Sequence, residues 1–378
     1  MNNKKSLSLY IHIPFCKQKC FYCDFPSYAR LEDLKEDYVK ALCKEIKDKA
    51  SKYKIKSIFI GGGTPSYLNE DEIEQVLSEI SKLDLEDNME FTMECNPGTL
   101  TEEKLRVMLK GGVNRISMGL QAVQNSLLKE IGRIHTFKVF EENYNLARKV
   151  GFKNINVDLM FGLPNQSVEE WEESLRKIAS LEPEHISAYS LIIEEDTGFY
   201  KLWENNKLLL PNEEEERIMY SKTKATLASY GYKQYEISNY AKEGYECYHN
   251  KVYWKCEEYL GLGSASSSFI NEKRIKNIED VKTYIERINK NESIIDEVIE
   301  NKNKDNIEEF IFMGLRMLEG INLSEFKNKF NTNIEDMYKE VIEKNINNNL
   351  LIIENDRLKL TSKGIELSNS VMSDFIIL

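Results

Sequence analysis

Short runs rich in β-branched and apolar residues alternate along the first half of the chain with longer stretches in which apolar positions recur every three or four residues. The short runs predict strands over Leu7–Ile13, Lys56–Ile60, Glu90–Glu94, Arg115–Met118, Asn154–Leu159 and His185–Ile192. The amphipathic stretches predict helices over Leu31–Ala50, Glu70–Leu83, Thr101–Lys110, Gln124–Ile131, Val139–Val150 and Ser167–Leu181. Asn69, Thr101 and Ser167 stand where N-caps belong, and Glu170 completes a capping box with Ser167. Strands that alternate with helices imply a parallel sheet covered by helices. Six such units are too few to close an eight-unit barrel. The predicted fold class is therefore α/β, a partial (β/α)6 TIM-like barrel, with function gathered at the strand C-termini.

The pattern loosens after about residue 200. One more helix is expected over Asn212–Tyr230, followed by loops and short strands rich in Gly, Tyr and Ser over Gly231–Ser268. Residues 271–305 are charged and Asn/Lys-rich, with helical spacing only from Asp280 to Asn289. Three helices then follow, at Ile307–Met317, Leu323–Phe330 and Ile334–Asn345. Two short strands, Leu350–Ile353 and Leu358–Leu360, flank a turn at Asn355–Asp356. This predicts a barrel core with its extension over 1–270, a linker and helix over 271–305, and a small helical, winged-helix-like domain over 306–378.

Lys and Arg number 51 against 63 Asp and Glu, a net charge of −12 without a dense basic patch, which argues against a nucleic-acid partner. No stretch approaches the ~20 apolar residues that a membrane span needs. The N-terminal residues lack the apolar segment of a signal peptide, so the expected location is the cytoplasm. Seven cysteines, an odd number, speak against a disulfide framework in such a chain.

Three of the seven, Cys16, Cys20 and Cys23, form a CxxxCxxC motif in a loop opened by Pro14 just after the first strand. This spacing lets one loop wrap three thiolates around a metal. A structural zinc site would pair CxxC with a second CxxC or a His pair, and Cys247 and His249 are far away in sequence. A [4Fe–4S] cluster normally takes four cysteines, so three leave one iron open for a ligand. The motif resembles the signature of the radical S-adenosylmethionine (SAM) superfamily. The resemblance implies that the amino and carboxylate groups of SAM chelate the open iron.

Further motifs stand one per strand end. Gly61-Gly62-Gly63-Thr64-Pro65 follows the second strand, and the resemblance implies that Gly62, Gly63 and Thr64 cradle the SAM amino group. Glu94 ends the third strand, where a carboxylate can accept from an ammonium or from ribose hydroxyls. Gln121 and Asp158, at the fourth and fifth strand ends, are placed for ribose, and Arg133 offers a fork for the SAM carboxylate. Each of these alone would be an ordinary turn, cap or surface residue; their order around one ligand gives them meaning. With YIHIPFC, ECNPG, SMGLQ, IGRIH and NVDLMFGLPNQ, the chain resembles the oxygen-independent coproporphyrinogen III oxidase family. By position in that family, Tyr10 also lines the SAM site. His12 is expected to be a satisfied core residue.

Within that family, the oxidase branch carries a further cysteine where this chain has Phe25, and a longer arm than the nine residues before Tyr10. Cys23-Asp24-Phe25 and Cys247-Tyr248-His249-Asn250-Lys251-Val252-Tyr253-Trp254, an HNxxYW pattern, resemble the haem chaperone branch. The resemblance implies haem as a third ligand beside the cluster and SAM, and a haem-accepting protein as partner. A homodimer and a peripheral contact with membrane-bound haemoproteins also stand open. His249 is the best haem-iron candidate among four histidines, with Tyr253 and Trp254 able to flank a porphyrin. Equally, HNxxYW can be a packing corner of the barrel. The rival readings are an oxidative decarboxylase of coproporphyrinogen III and a radical-SAM enzyme acting on an unrelated substrate.

Overall fold

The computed structural model describes residues 4–376. Six parallel strands lie side by side in chain order: β1 (Ser6–Ile13), β2 (Lys54–Gly62), β3 (Asp84–Cys95), β4 (Arg115–Gln121), β5 (Ile155–Phe161) and β6 (His185–Ser190). Beyond β6 the sheet continues antiparallel through β7 (Lys233–Glu236) and β8 (Asn239–Ala241), in the order β6-β8-β7. On the other edge β9 (Tyr259–Leu262) runs parallel to β1. It is followed outward by antiparallel β10 (Ser267–Ile270), β11 (Lys273–Asn277) and β12 (Ile295–Glu300). The product is one open twelve-stranded mixed sheet whose six central strands are the expected partial barrel.

The expected linker over 271–305 is corrected by this sheet. Those residues carry β11, a helix over Val281–Lys290 and β12, and the helix packs against the first barrel helix, Lys35–Glu45. The separation is prevented by burial: Tyr284 donates to the Glu45 carboxylate at 2.6 Å, and Asn277 reaches the same carboxylate at 3.2 Å. Smaller differences concern ends. β3 starts at Asp84 because Asp84 and Leu85 pair with Lys54 and Ile55 ahead of a register break. The helix expected from Val139 begins at Phe137, capped by Thr136.

The central strands are buried on both sides, yet they keep a period of two. In β1, Leu7, Leu9, Ile11 and Ile13 belong to the main apolar cluster under the helices, while Ser8, Tyr10 and His12 take polar partners. In β4, all seven residues are buried: Ile116, Met118 and Leu120 join the apolar cluster, whereas Arg115 reaches Thr92 and Ser117 reaches Asp158. One parity of each strand thus builds a hydrophobic shell, and the other lines the barrel with polar groups.

The C-terminal region has its own core, in which Phe310, Phe326, Leu358 and Phe375 are buried together. Its helices include Asn303–Arg316, Leu323–Phe330 and Lys339–Asn347. A sheet of β13 (Ile321–Asn322), β15 (Arg357–Leu360) and β14 (Leu351–Glu354) completes the expected winged-helix-like outline with one extra strand. It docks on the barrel through Arg316, which pairs with buried Glu236 at 3.6 Å and lies 4.4 Å over the Trp254 ring. Among the described residues no helix is long and apolar enough to cross a membrane.

Candidate functional site

The cysteine loop leaves β1 at Pro14 and folds back on itself. The Cys16 N–H donates to Tyr28 O at 2.9 Å, and the Tyr28 N–H donates to Pro14 O at 2.7 Å. It is also tied to the turn after the fourth strand's helix, through Phe21 N to Ile131 O at 3.1 Å and Gln18 Nε2 to Gly132 O at 3.0 Å. All three cysteines are free thiols on the wall of one cavity of about 130 Å³ at the strand C-termini. Two of them have a donor beside the sulfur: Thr64 Oγ1 is 3.5 Å from Cys16 Sγ, and Arg133 Nη1 is 3.5 Å from Cys20 Sγ. The Ser27 hydroxyl gives its proton to the Phe25 carbonyl at 3.1 Å, so its oxygen faces Cys23 Sγ at 3.9 Å as an acceptor. Burial pushes the Cys16 and Cys23 thiols up. Among the described residues, no three His, Cys, Asp or Glu converge closely enough to hold a single metal ion. Three soft thiols, spaced around a cavity and met by hydroxyl and guanidinium donors, fit a cluster that takes each thiolate on a separate iron.

The triple glycine brings β2 against this loop. The Gly63 N–H donates to Ile13 O at 2.8 Å, and the Thr64 N–H donates to Phe15 O at 2.8 Å. A Cβ on Gly63 would lie 2.9 Å from the Ile13 and Phe15 carbonyls. One on Gly62, at φ +110°, would lie 2.4 Å from the His12 ring. The same cavity takes in Gly62, Gly63, Thr64, Glu94, Gln121, Arg133 and Asp158, so seven residues expected to meet SAM share a wall with the three thiols. Glu94 accepts the Gly62 N–H at 3.2 Å. Burial first, and Asp158 second, push its carboxyl up to about 8. Burial also raises Asp158, against hydrogen bonds from Asn156 at 2.7 Å and Ser117 at 3.2 Å. Gln121, at φ +77° beside a register break with β5, accepts from Tyr189 Oη at 2.9 Å. Arg133 is anchored by Asn96 Oδ1 at 2.6 Å and by the Gly119 carbonyl.

Two expected residues, Tyr10 and His249, stand apart from this wall. Tyr10 is not on the cavity wall: its ring stacks on Phe59 at 6.4 Å, and its hydroxyl donates to His12 Nδ1 at 2.9 Å. His12 carries its proton on Nε2, which faces the Pro26 carbonyl at 2.8 Å, so it is the satisfied core residue expected. His249 is fully buried within the barrel. Ser57 gives its proton to Ser8, so its oxygen accepts from His249 Nδ1 at 2.9 Å, while His249 Nε2 accepts from Tyr253 Oη at 3.0 Å. Burial, Arg115 and Lys56 together lower its basicity to about 3. Neither ring nitrogen has a lone pair facing a space a haem could enter. Glu90 caps the start of its helix, accepting from the N–H groups of Tyr248 at 2.9 Å and His249 at 3.0 Å. In this structure the His249, Tyr253 and Trp254 side chains of HNxxYW make hydrogen-bond and packing contacts within the fold.

Asn96, Ser117, Tyr22 and Tyr189 were given no role by the motifs, yet they line the same cavity. For Ser117 and Tyr189 the available signal is parity: each shares the inward face of its strand with other polar residues, Ser117 with Arg115 and Gln121, Tyr189 with His185 and Ser187.

The Radical SAM superfamily matches residues 10–178, and the HemN C-terminal domain matches residues 302–367. A relative named heme chaperone HemW from Lactococcus lactis is 38% identical over 375 residues, covering 99% of this chain and 98% of its own. Another of that name, from Bacillus subtilis, is 37% identical over 374 residues, covering 98% and 99%. The solved structure of coproporphyrinogen III oxidase HemN from Escherichia coli superposes with a TM-score of 0.85 over 99% of this chain and 90% of its own; at 22% identity this likeness speaks for the fold. By its full-length identity to these relatives, the chain belongs to the heme chaperone HemW family of radical SAM proteins.

Proposed function

We propose that the protein binds haem together with a SAM-coordinated [4Fe–4S] cluster and transfers haem to acceptor haemoproteins. The observation that carries this reading is the end-to-end identity with relatives named heme chaperones, which spans the barrel, the sheet extension and the C-terminal domain alike. In this reading Cys16, Cys20 and Cys23 hold the cluster. Gly62, Gly63 and Thr64 take the SAM amino group, Arg133 takes its carboxylate, and Glu94, Gln121 and Asp158 take the ammonium or ribose. Such a cluster, when bound, would supply a single electron for reduction of a sulfonium. The chain's own part is to hold SAM in a polar chamber behind a hydrophobic shell, with Asp158 fixed by Asn156 and Ser117 and Gln121 fixed by Tyr189. The reading places the protein in the cytoplasm. It includes a homodimer and peripheral contact with membrane-bound haemoproteins as routes for handing haem on.

The test uses anaerobically reconstituted full-length protein. Haem is titrated onto it and its transfer to an apo-haemoprotein is followed by absorbance. The same preparation is then given dithionite, SAM and coproporphyrinogen III. Haem uptake and transfer without decarboxylation are expected. Decarboxylated porphyrinogen would make the protein an oxidative decarboxylase despite Phe25, and absence of haem uptake would end the chaperone reading.

A further inference from the structure

Two of the three cysteine sulfurs are joined by an unbroken chain of hydrogen bonds. Thr64 Oγ1 donates to Cys16 Sγ at 3.5 Å and accepts from Asn96 Nδ2 at 2.7 Å. Asn96 Oδ1 accepts from Arg133 Nη2 at 2.6 Å, and Arg133 Nη1 donates to Cys20 Sγ at 3.5 Å. The middle of this chain is the amide of Asn96, which uses its donor on one arm and its acceptor on the other. Its geometry is fixed in advance: the Asn96 N–H donates to Ser66 Oγ at 3.0 Å, and Thr99 Oγ1 donates to the Asn96 carbonyl at 2.7 Å. Gly119 leaves room for the joint, since a Cβ there would lie 2.9 Å from Arg133 Nη2 and 3.1 Å from Asn96 Oδ1. Thr64, Asn96, Arg133 and Cys20, with Gln18, line both the main cavity and a small neighbouring one of about 10 Å³.

We propose that Asn96 is the positioning residue of a clamp, Cys16–Thr64–Asn96–Arg133–Cys20, that sets the reduction potential of the cluster. The proposal rests on the reading of the three cysteines as cluster ligands. Donors on thiolate sulfurs stabilise the more negative, reduced state, and so raise the potential. A donor that itself accepts a hydrogen bond is polarised into a better donor, so the Asn96 amide strengthens the Thr64 hydroxyl toward Cys16. Its oxygen restrains the guanidinium whose other nitrogen serves Cys20. Removing the Thr64 hydroxyl takes away the Cys16 arm and leaves the Arg133 arm in place, which makes the two arms separable.

The experiment compares wild type, Thr64→Val, Asn96→Ala and the Thr64→Val/Asn96→Ala double variant. Each is reconstituted anaerobically and brought to equal iron and sulfide content. The cluster's midpoint potential is read by redox titration with electron paramagnetic resonance. Thr64→Val is expected to shift the potential to a more negative value. Asn96→Ala is expected to shift it further, because it loosens Arg133 as well. Because Thr64 and Asn96 act in series on Cys16, the double variant is expected to shift by less than the sum of its two parents. Unchanged potentials in variants that carry the cluster, or fully additive shifts, overturn the clamp. If Asn96→Ala takes up no iron, Thr64→Val, which removes one hydroxyl, decides by itself in the same way. A wild-type protein that binds no cluster would instead overturn the ligand reading on which the clamp rests.

Discussion

His249 and Glu94 are both buried polar side chains, but their partners give them opposite characters. His249 is neutral and saturated, with Ser57 on one ring nitrogen and Tyr253 on the other. His249→Ala leaves both hydroxyls without that partner and opens a cavity, which is expected to cost about 2–4 kcal/mol in chemical denaturation. The number of haems bound per chain is expected to stay the same. A lost haem with intact stability would return iron ligation to this histidine. Glu94 is held by burial and by Asp158 in a state that keeps its proton to about pH 8, against an ordinary value of 4.5. The folded chain therefore binds this proton more tightly than the unfolded chain. The stability it contributes is full below pH 4.5 and is lost as pH rises to about 8. Glu94→Gln has no proton to lose. The unfolding free energy of SAM-free wild type should fall relative to that of the variant across this window, and parallel pH profiles would remove the shift. The place of Glu94 near the end of β3, on the wall of the cysteine cavity, was legible in the sequence because its motif directly follows a compact apolar strand. The saturation of His249 was not, because Ser8, Ser57 and Tyr253 come from three separate elements.

At the scale of elements, the glycines at the end of β2 pack that strand against β1 and the cysteine loop. Gly62 stands at φ +110° against the His12 ring, and His12 in turn holds the Pro26 carbonyl inside the cysteine loop. Gly62→Ala is expected to cost about 1–3 kcal/mol of stability through its backbone conformation. It should also push His12 off Pro26 and lower the iron bound on reconstitution, read by iron assay beside a denaturation curve. Normal iron loading in the variant would show that the loop does not depend on this contact. The six central strands were legible because each carries a compact apolar run bounded by turns. The sheet extension was not, since β11 is mainly Lys, Arg and Asn and every residue of β12 is exposed. An edge strand with Asp296, Glu297 and Glu300 on it has no buried face to write a period into its sequence, and its charges guard a free edge. What holds these strands in place is Glu45, the shared acceptor of Tyr284 and Asn277, whose significance lies far away in the chain.

For the whole molecule the decisive contact joins barrel and C-terminal domain. Glu236 is a fully buried carboxylate at the end of β7. Beside the Ser238 N–H and the Asn239 amide, the cation it meets is Arg316, the last residue of the Asn303–Arg316 helix. The same guanidinium covers Trp254, the last residue of the His249 helix (Tyr248–Trp254), so one side chain ties the C-terminal domain to both the sheet edge and that helix. The backbone repeats the link, with Ile237 N–H donating to Arg316 O at 3.2 Å and Leu318 N–H to Tyr235 O at 3.1 Å. Removing one member of a buried ion pair strands the other charge, a loss of about 3–5 kcal/mol. Arg316→Ala should therefore lower stability by that order and split a joint unfolding transition into two, with the C-terminal domain melting first. Adding Glu236→Gln should recover most of the loss, because the stranded charge is then gone. If the double variant is as unstable as Arg316→Ala alone, the cost lies in the lost packing on Trp254 rather than in the buried charge, and the ion pair is not what couples the two domains.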